Sequence, residues 1–439
     1  MPAGSIVEAA PLPKSYLSGI EPTVAVPWRM ILLASFGGAL EFYDFVVFGV
    51  FAPAIAAAFF PRADPVVGQM LAFAGFALGY VARPVGGVVL AHFGDRFGRR
   101  RVFVGSVLVV SVATLAMGLV PDYAAWGVAA PALLLGLRLV QGFCLGGELP
   151  GAITYVVETV PARASFVCGV VFACVNSGVL LATLVSLGVQ TAMPPALIPG
   201  YGWRVGFLLG GALGLVGWWL RRALEETPAF GALRQIARVP LREVLLTHPR
   251  PVLIGIATTA ATACFNGLLF VHMPVYLGRV LHYDATLVAL AQNAGIATLS
   301  VGLLVVAWFG DRVPRRHLLT AGAALLLLGS WPWYSAAAGR LVPLIPLLMI
   351  AGLGASLATG VFGAVVADLF PTRVRFSGVA LAYNASFTAF SGTAPLLATA
   401  AISATGMVGA PALVMAVCAA IALAGSLSAR RFSGRIAHR

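Results

Sequence analysis

The chain has 439 residues, of which 60% are hydrophobic and 10% charged, and its mean hydropathy is +0.96. Because soluble globular proteins carry roughly 25% charged residues, this composition excludes a soluble protein and predicts an integral membrane protein. The net charge of +13 does not indicate a nucleic-acid partner. The arginines cluster in turns between apolar runs, where they set membrane topology and face anionic lipid headgroups.

A membrane-spanning helix needs ~20 mostly apolar residues, and the chain contains twelve such stretches. In the first half they cover residues 28–57, 66–91, 102–121, 127–157, 165–190 and 203–221. In the second half they cover residues 250–276, 285–309, 317–337, 341–369, 377–400 and 407–429. Between the halves, residues 222–249 are charged and are predicted to contain a short amphipathic helix.

A basic turn occurs twice, about half a chain apart. Gly94-Asp95-Arg96-Phe97-Gly98-Arg99-Arg100-Arg101 is followed by the near copy Gly310-Asp311-Arg312-Val313-Pro314-Arg315-Arg316. A second pair of similar segments, Glu158–Arg163 and Asp368–Arg373, closes the fourth and tenth spans. Repeats at matching places in both halves are typical of transporters built from two related bundles.

The sequence therefore predicts an all-α membrane protein with twelve transmembrane helices in two pseudo-symmetric six-helix bundles. The predicted units are a cytoplasmic tail (1–26), an N-terminal bundle (27–221), a cytoplasmic linker (222–249), a C-terminal bundle (250–429) and a cytoplasmic tail (430–439). Both termini are placed in the cytoplasm because most arginines, Arg221 among them, then lie in cytoplasmic turns. The outer turns retain only Arg62, Arg204, Arg279 and Arg340.

Five ionisable residues fall inside predicted spans, where a charge costs at least ~2.5 kcal/mol and normally faces a cavity or a partner. They are Glu41, Asp44, Arg83, Arg138 and Glu148. Glu41 and Asp44 are three residues apart and share a helix face with Tyr43 beside them. Repulsion between the two carboxylates favours protonation of one, as proton coupling requires. The alternative is that one carboxylate simply pairs with Arg83 or Arg138.

In the fourth span, Gln141, Glu148 and Tyr155 recur at intervals of seven and lie on one stripe with Arg138. A polar stripe along a spanning helix is predicted to face a water-filled path. The glycines of this span, Gly142, Gly146, Gly147 and Gly151, are interpreted as helix-packing positions.

Glu158 is predicted to act as a gate at the inner membrane edge, by pairing with the arginines of the basic turn. Asp368 is expected to do the same in the second half; the alternative is that these charges only follow topology. The predicted gate residues are Asp95, Arg96, Arg99, Arg100, Glu158, Arg163, Asp311, Arg312, Asp368 and Arg373.

The second half offers neutral polar residues for its part of the path, including Asn266 and Asn384, with His272 a third-ranked proton carrier. The hypothesis is that the first half handles proton and ligand charge while the second adds shape and hydrogen bonds. The predicted proton-coupling residues are Asp44, Glu41 and Glu148. The predicted substrate-binding residues are Arg138, Arg83, Tyr43, Gln141, Asn266 and Asn384.

Five stretches resemble the metabolite:proton symporter family of the major facilitator superfamily. They are Glu41–Phe45, Arg83-Pro84 leading into Gly94-Asp95-Arg96, Arg138–Gly142 with Gly146-Gly147-Glu148, Gly202-Trp203-Arg204 followed by Glu226-Thr227-Pro228, and Leu369–Arg373 with Ser377-Gly378. The resemblance implies a proton-driven symporter of a bacterial inner membrane. Members of the family carry tricarboxylates, 2-oxoglutarate, shikimate, or proline and betaine.

Val46-Val47-Phe48-Gly49, Phe59-Phe60-Pro61 and Glu225-Glu226-Thr227 are most similar to the citrate-type branch. The function predicted first is therefore import of a di- or tricarboxylate such as citrate by alternating access, with protonation admitting the anion. The acids Glu41, Asp44 and Glu148 outnumber Arg83 and Arg138 by three to two. The alternatives are symport of a zwitterion such as betaine or proline, and proton-coupled export.

The chain departs from the family at Leu149-Pro150, where relatives usually have Trp-Gly or Gly-Gly. A proline in mid-helix frees a backbone carbonyl, and the substrate can differ accordingly. No metal site, cofactor motif or nucleophile constellation is visible, which argues against an enzyme. We expect a functional monomer whose partners are a small-molecule substrate, protons and membrane lipid, with no nucleic acid.

Overall fold

A computed structural model describes residues 28–61, 65–194, 196–226 and 240–429. Some side chains within these ranges are not described, that of Glu41 among them. Both predicted tails, 1–26 and 430–439, and residues 227–239 of the predicted linker lie outside the described residues. The part of the linker that is described contains one helix, Pro240–Thr247.

Twelve long helical segments follow one another along the chain. The N half consists of α1 Trp28–Val50, α2 Pro65–Phe97, α3 Arg99–Leu119, α4 Ala129–Thr159, α5 Pro161–Ala192 and α6 Gly200–Arg221. The C half consists of α7 Pro249–Val280, α8 Ala285–Gly310, α9 Arg315–Ala338, α10 Leu344–Asp368, α11 Thr372–Thr405 and α12 Pro411–Ser428. Ten of these, all but α2 and α9, are long and apolar enough to cross a membrane among the described residues.

The other two, α2 and α9, have 33 and 24 residues and are therefore also of spanning length. The twelve-helix prediction is confirmed. Two boundaries differ from expectation. The first span ends at Val50, and a separate helix, Ala52–Phe59, begins with a proline near its N-terminus. The helix α2 continues to Phe97, so that Asp95 lies on a helix rather than in a turn.

Helix pairing repeats six helices further along the chain. In the N half α1 packs on α5, α2 on α4 and α3 on α6, while in the C half α7 packs on α11, α8 on α10 and α9 on α12. The halves meet where α2 contacts α11 and where α5 contacts α8. An aromatic pair, Phe172 on α5 and Phe362 on α10, also crosses this interface with ring centroids 4.7 Å apart.

The turn between α2 and α3 depends on one glycine. Gly98 has φ +107°, a conformation that residues with a Cβ rarely adopt. This turn places Asp95 and Arg99 one helical turn apart on either side of the bend, where they form an ion pair of 3.3 Å. The turn thereby fixes the positions of Asp95 and Arg99 relative to each other at one end of the bundle.

Candidate functional site

A chain of polar contacts links Asp44 to Arg138 through the interior of the N half. The hydroxyl of Thr114 on α3 lies 2.8 Å from Oδ2 of Asp44 on α1, and Nε2 of Gln141 on α4 donates to the Thr114 hydroxyl at 2.9 Å. Arg138, on the same helix as Gln141, donates to its amide oxygen. All four residues are at most 2% exposed. The structure therefore joins two predicted sites, Asp44 and Arg138, by way of Thr114.

The second oxygen of Asp44, Oδ1, has no hydrogen-bond partner among the described residues. Asp44 lines a small cavity of about 20 Å³ between α1, α3, α4 and α6, together with Ser111 and Glu148. A volume of ~10–15 Å³ is enough for one water molecule. Two of the predicted proton-coupling carboxylates thus border one water-sized space.

Glu148 is held by an arginine that the sequence placed in a cytoplasmic turn. Arg221, at the end of α6, is 1% exposed and forms an ion pair with Glu148. Its guanidinium also donates to the carbonyls of Leu33 and Ala34 on α1, at 3.1 and 2.6 Å. Gly37 makes this possible, because a Cβ at that position would overlap the guanidinium. Assigning Arg221 to a turn was wrong, since its long side chain returns into the bundle.

The stripe predicted on α4 therefore faces the interior of the N half. Gln141 and Glu148 make the contacts described above, and the Tyr155 hydroxyl donates to the carbonyl of Glu225 at 3.0 Å. Tyr43 also points into this half, where its hydroxyl donates to the carbonyl of Gly206 at 3.0 Å. The structure thus places these side chains among α1, α3, α4 and α6 rather than along the surface between the halves.

Arg83 lies on α2 at 1% exposure. Its guanidinium carbon is 5.7 Å from the ring centroid of Phe42 and 5.2 Å from that of Tyr80, which is the range of cation–π contacts. Glu41 lies on α1, one residue before Phe42, but its side chain lies outside the described part of the chain.

Of the two asparagines predicted in the C half, Asn384 contacts the N half. Its Nδ2 on α11 donates to the carbonyl of Gly146 on α4 at 2.8 Å. Asn266 is half-buried on α7. Its neighbour Gly267 packs against the backbone of Ser391 on α11. The structure does not bring Asn266 into the polar chain around Asp44.

The N-half charge cluster, which consists of Asp95, Arg99 and Glu158, lies where α2 and α4 end and where α3 and α11 begin. Arg99 Nε is 2.8 Å from Glu158, and Arg99 also donates to the carbonyl of Thr372 in the C half at 2.7 Å. Arg375 in the C half reaches the same Glu158 at 3.0 Å. Asp95 accepts the backbone N–H of Ser377 at 2.8 Å, and so caps the beginning of α11.

The C-half charge cluster repeats this arrangement with the halves exchanged. Asp311 accepts the backbone N–H groups of Ser165 and Phe166 at the beginning of α5, at 2.8 and 2.9 Å. Arg315 lies 3.5 Å from Asp311 and 2.8 Å from Asp368, and it donates to the Ser165 hydroxyl at 2.7 Å. Each half therefore binds the other through one aspartate and one arginine of its basic turn.

The other predicted gate residues lie outside the two clusters. Arg96 and Arg163 are exposed, and the exposed Arg312 stacks on the Trp308 ring at 3.4 Å. Arg100 donates to the carbonyl of Arg222 at 2.8 Å, and Arg373 pairs with Glu243 at 2.5 Å. The gate residues predicted from the sequence do not include Arg375 or Arg315, although Arg315 lies in the basic segment that was expected to pair with Asp368. The spacing of Asp311 and Arg315, four residues as in Asp95 and Arg99, is the signal that would have identified Arg315.

Comparison with known proteins agrees with this architecture. The Major Facilitator Superfamily model matches residues 34–391. A proline/betaine transporter of Salmonella typhimurium is 33% identical over 93% of this chain and 84% of its own length. A glycine betaine/proline/ectoine/pipecolic acid transporter, OusA of Dickeya dadantii, is 33% identical over 90% of this chain and 81% of its own length.

A solved structure of the proton:xylose symporter XylE superposes on the chain with a TM-score of 0.77 at 17% identity, covering 93% of this chain and 96% of that one. At this identity the likeness shows a common fold. The family match covers most of the chain, and the relatives of 33% identity span most of their own length. The chain therefore belongs to the Major Facilitator Superfamily, and it is an integral membrane transporter rather than an enzyme.

Proposed function

We propose that the protein is a proton-coupled symporter of a small zwitterion, such as proline or a betaine, that works by alternating access. The citrate-type substrate predicted first is not supported, because the two relatives described above are named as transporters of proline and betaine. The predicted alternative is better supported. The observation that carries the proposal on this chain is the charge balance of the N half.

The ion pair between Glu148 and Arg221 changes the count of buried charge. The sequence alone gave three acids against two arginines. With Glu148 paired to Arg221, Glu41 and Asp44 remain against Arg83 and Arg138, which is two against two. With Asp44 ionised this region has no surplus positive charge, and with Asp44 protonated it has a surplus of one. A tricarboxylate carries three negative charges, each of which needs its own cation when buried, so neither state can neutralise it. A zwitterion, which carries one charge of each sign, suits a balanced site.

Asp44 is the proposed proton carrier. It is buried, one of its oxygens is held by Thr114, and the other borders the water-sized cavity. Arg138 lies two hydrogen bonds beyond Thr114. The affinity of a buried carboxylate for a proton depends on nearby charges, so it should change when that arginine moves. Proton binding to Asp44 would release the polar chain that ends at Arg138. Glu148 is instead assigned a structural role with Arg221.

The two cytoplasmic charge clusters are the proposed inner gate. In the structure both are formed, so that the cytoplasmic ends of the halves are held together. Opening toward the cytoplasm would require the cross-half contacts of Asp95, Arg99 and Asp311 to break. Repacking of charged contacts between rigid bodies is a common means of switching between two states.

The proposal places the protein in a bacterial inner membrane, with both termini in the cytoplasm and each monomer functional on its own. The basic turns then face the cytoplasm, as the distribution of arginines predicts. Lipid headgroups are the proposed neighbours of the exposed arginines, Arg96 and Arg312 among them.

The test is uptake into proteoliposomes in which the lumen is made alkaline. Radiolabelled proline, glycine betaine and citrate are offered separately, with and without a protonophore. We expect proline or glycine betaine to accumulate and the protonophore to abolish accumulation, while citrate stays at the level of empty liposomes. Proton-driven accumulation of citrate alone would contradict the proposed substrate class. Accumulation that ignores the protonophore would contradict proton coupling, and substrate efflux driven by proton influx would indicate an exporter.

A further inference from the structure

The helix α4 contains a proline in its interior. It runs from Ala129 to Thr159 with Pro150 inside it and buried. Because proline has no N–H, the carbonyl four residues earlier, that of Gly146, has no donor within the helix. A backbone carbonyl without a donor is costly inside a membrane. The donor to Gly146 must come from another element.

That donor comes from the opposite half. Asn384 on α11 is 1% exposed, and its Nδ2 lies 2.8 Å from the Gly146 carbonyl and 2.9 Å from that of Ala380. Both neighbours are carbonyl oxygens, which only accept hydrogen bonds. The amide must therefore present its nitrogen to them, and its orientation is fixed by chemistry.

Two glycines make room for this contact. A Cβ on Gly146 would overlap the carbonyl of Arg83 on α2, and a Cβ on Gly87 of α2 would overlap the Asn384 amide. The backbones of α2 and α4 therefore lie close together, and the Asn384 side chain rests on both. This three-helix contact lies between the halves, on the same α2–α11 surface as the hydrogen bond from Ser377 to Asp95.

We propose that Pro150 is a positioning residue for the transport cycle: it frees the Gly146 carbonyl to accept from Asn384, and this bond stabilises the state closed to the cytoplasm. The inference rests on the alternating access proposed above. Asn384 is seven residues from Ser377 on α11, which at 1.5 Å per residue is about 10 Å deeper than the gate. The bond must break when α11 leaves α2 and α4. It therefore stabilises the closed state together with the gate, but at a different depth in the membrane.

The experiment measures cytoplasmic opening without substrate. Ser377, 1% exposed in the closed state, is replaced by cysteine in a background in which the five native cysteines are replaced by alanine. The parent for the experiment is this cysteine-free protein with the S377C reporter. The rate at which a membrane-impermeant maleimide labels the reporter is measured in inside-out vesicles for the parent, for P150A, for N384L and for the double variant. Because no substrate is present, failure of proline uptake and failure of this inference are distinguishable.

The matched control is P332A. Pro332 lies inside α9, where it frees the carbonyl of Leu328, a residue that is 75% exposed on the outside of the bundle. Replacing this proline also restores a helical N–H, but at a carbonyl remote from the other half. P332A is expected to label at the rate of the parent.

We expect P150A and N384L each to speed labelling by about fivefold, the equivalent of one hydrogen bond of about 1 kcal/mol. The double variant should also label about fivefold faster, because both changes remove the same bond. Additive effects in the double variant, or a parent-like rate for P150A, would overturn the proposal. If P150A does not reach the membrane, P150S replaces it, because serine also restores the helical N–H. A parent-like rate for P150S would then overturn the proposal.

Discussion

The N half and the C half have the same helix pairings but different interiors. The buried polar residues of the N half include Asp44, Arg138, Glu148 and Arg221. Away from the two charge clusters, the buried polar side chains described in the C half are hydroxyls, the amide of Asn384 and the imidazole of His272. The two halves thus share their helix pairings, while the buried charge within the membrane is concentrated in one half. We propose from this difference that proton and charge handling belong to the N half, which is also the hypothesis from the sequence.

The largest effect is expected at Asp44. Asp44→Asn keeps the hydrogen bond from Thr114 within reach but cannot bind and release a proton, so proton-driven accumulation should be lost completely while exchange of labelled for unlabelled substrate persists. Uptake by proteoliposomes measures accumulation, and counterflow measures exchange. The matched change in the C half is Thr262→Val, which removes a buried hydroxyl without a partner among the described residues and should leave both unchanged. Full accumulation by Asp44→Asn would move the proton site elsewhere.

The second prediction concerns stability. Removing one member of the buried pair Glu148–Arg221 leaves the other charge uncompensated, which typically costs 3–5 kcal/mol, in order of magnitude. Glu148→Gln and Arg221→Gln should each lower the melting temperature of the purified protein in a thermal-shift assay. The melting temperature of the double variant should be closer to that of the parent than the melting temperature of Arg221→Gln is. Additive losses would show that the two side chains do not act as a pair.

The third prediction compares the two charge clusters. Glu158 is fully buried between Arg99 and Arg375, whereas the pair of Asp368 and Arg315 is 6% and 16% exposed. Water screens the second cluster more. Glu158→Gln should therefore speed maleimide labelling of the S377C reporter by about tenfold, and Asp368→Asn by about threefold. Equal effects would show that burial does not distinguish the two copies of the gate.

The smallest effect is expected at the surface. Arg373 pairs with Glu243, but its side chain is 48% exposed. Exposed ion pairs contribute about 0–1 kcal/mol, so Arg373→Ala should change neither the melting temperature nor S377C labelling beyond the scatter of the assay. An increase in S377C labelling as large as that expected for Glu158→Gln would place Arg373 in the gate after all.

The twelve helices and their division into halves were predictable because they depend on length, hydropathy and repeated turns, which the sequence displays directly. The family followed from motifs at fixed spacing. The partners of the buried charges were not predictable in the same way. Hydropathy places the Cα of Arg221 near the membrane edge, but it does not reveal that the side chain turns back past Gly37 to reach Glu148.

Thr114 illustrates a different limit. Threonine is common in membrane helices, where its hydroxyl bonds to its own backbone, and nothing in the local sequence distinguishes this one from others. Its importance arises only from packing of α3 against α1 and α4, which brings Asp44 and Gln141 to opposite sides of its hydroxyl. Pro150 was predictable in part. A proline inside a helix indicates that a backbone carbonyl lacks its helical donor, but the sequence does not indicate that Asn384 donates to that carbonyl.

The glycine contacts between α2 and α4 have a mechanical consequence. A Cβ at Gly86, Gly142 or Gly146 would overlap the facing backbone, so the two helices touch main chain to main chain along several turns. If the halves rock as proposed, α2 and α4 should move together as one rigid unit, and α11 should move relative to both. Spin labels or fluorophores placed one on each would report a constant separation through the cycle. Probes for the rocking motion belong on opposite sides of the α2–α11 boundary.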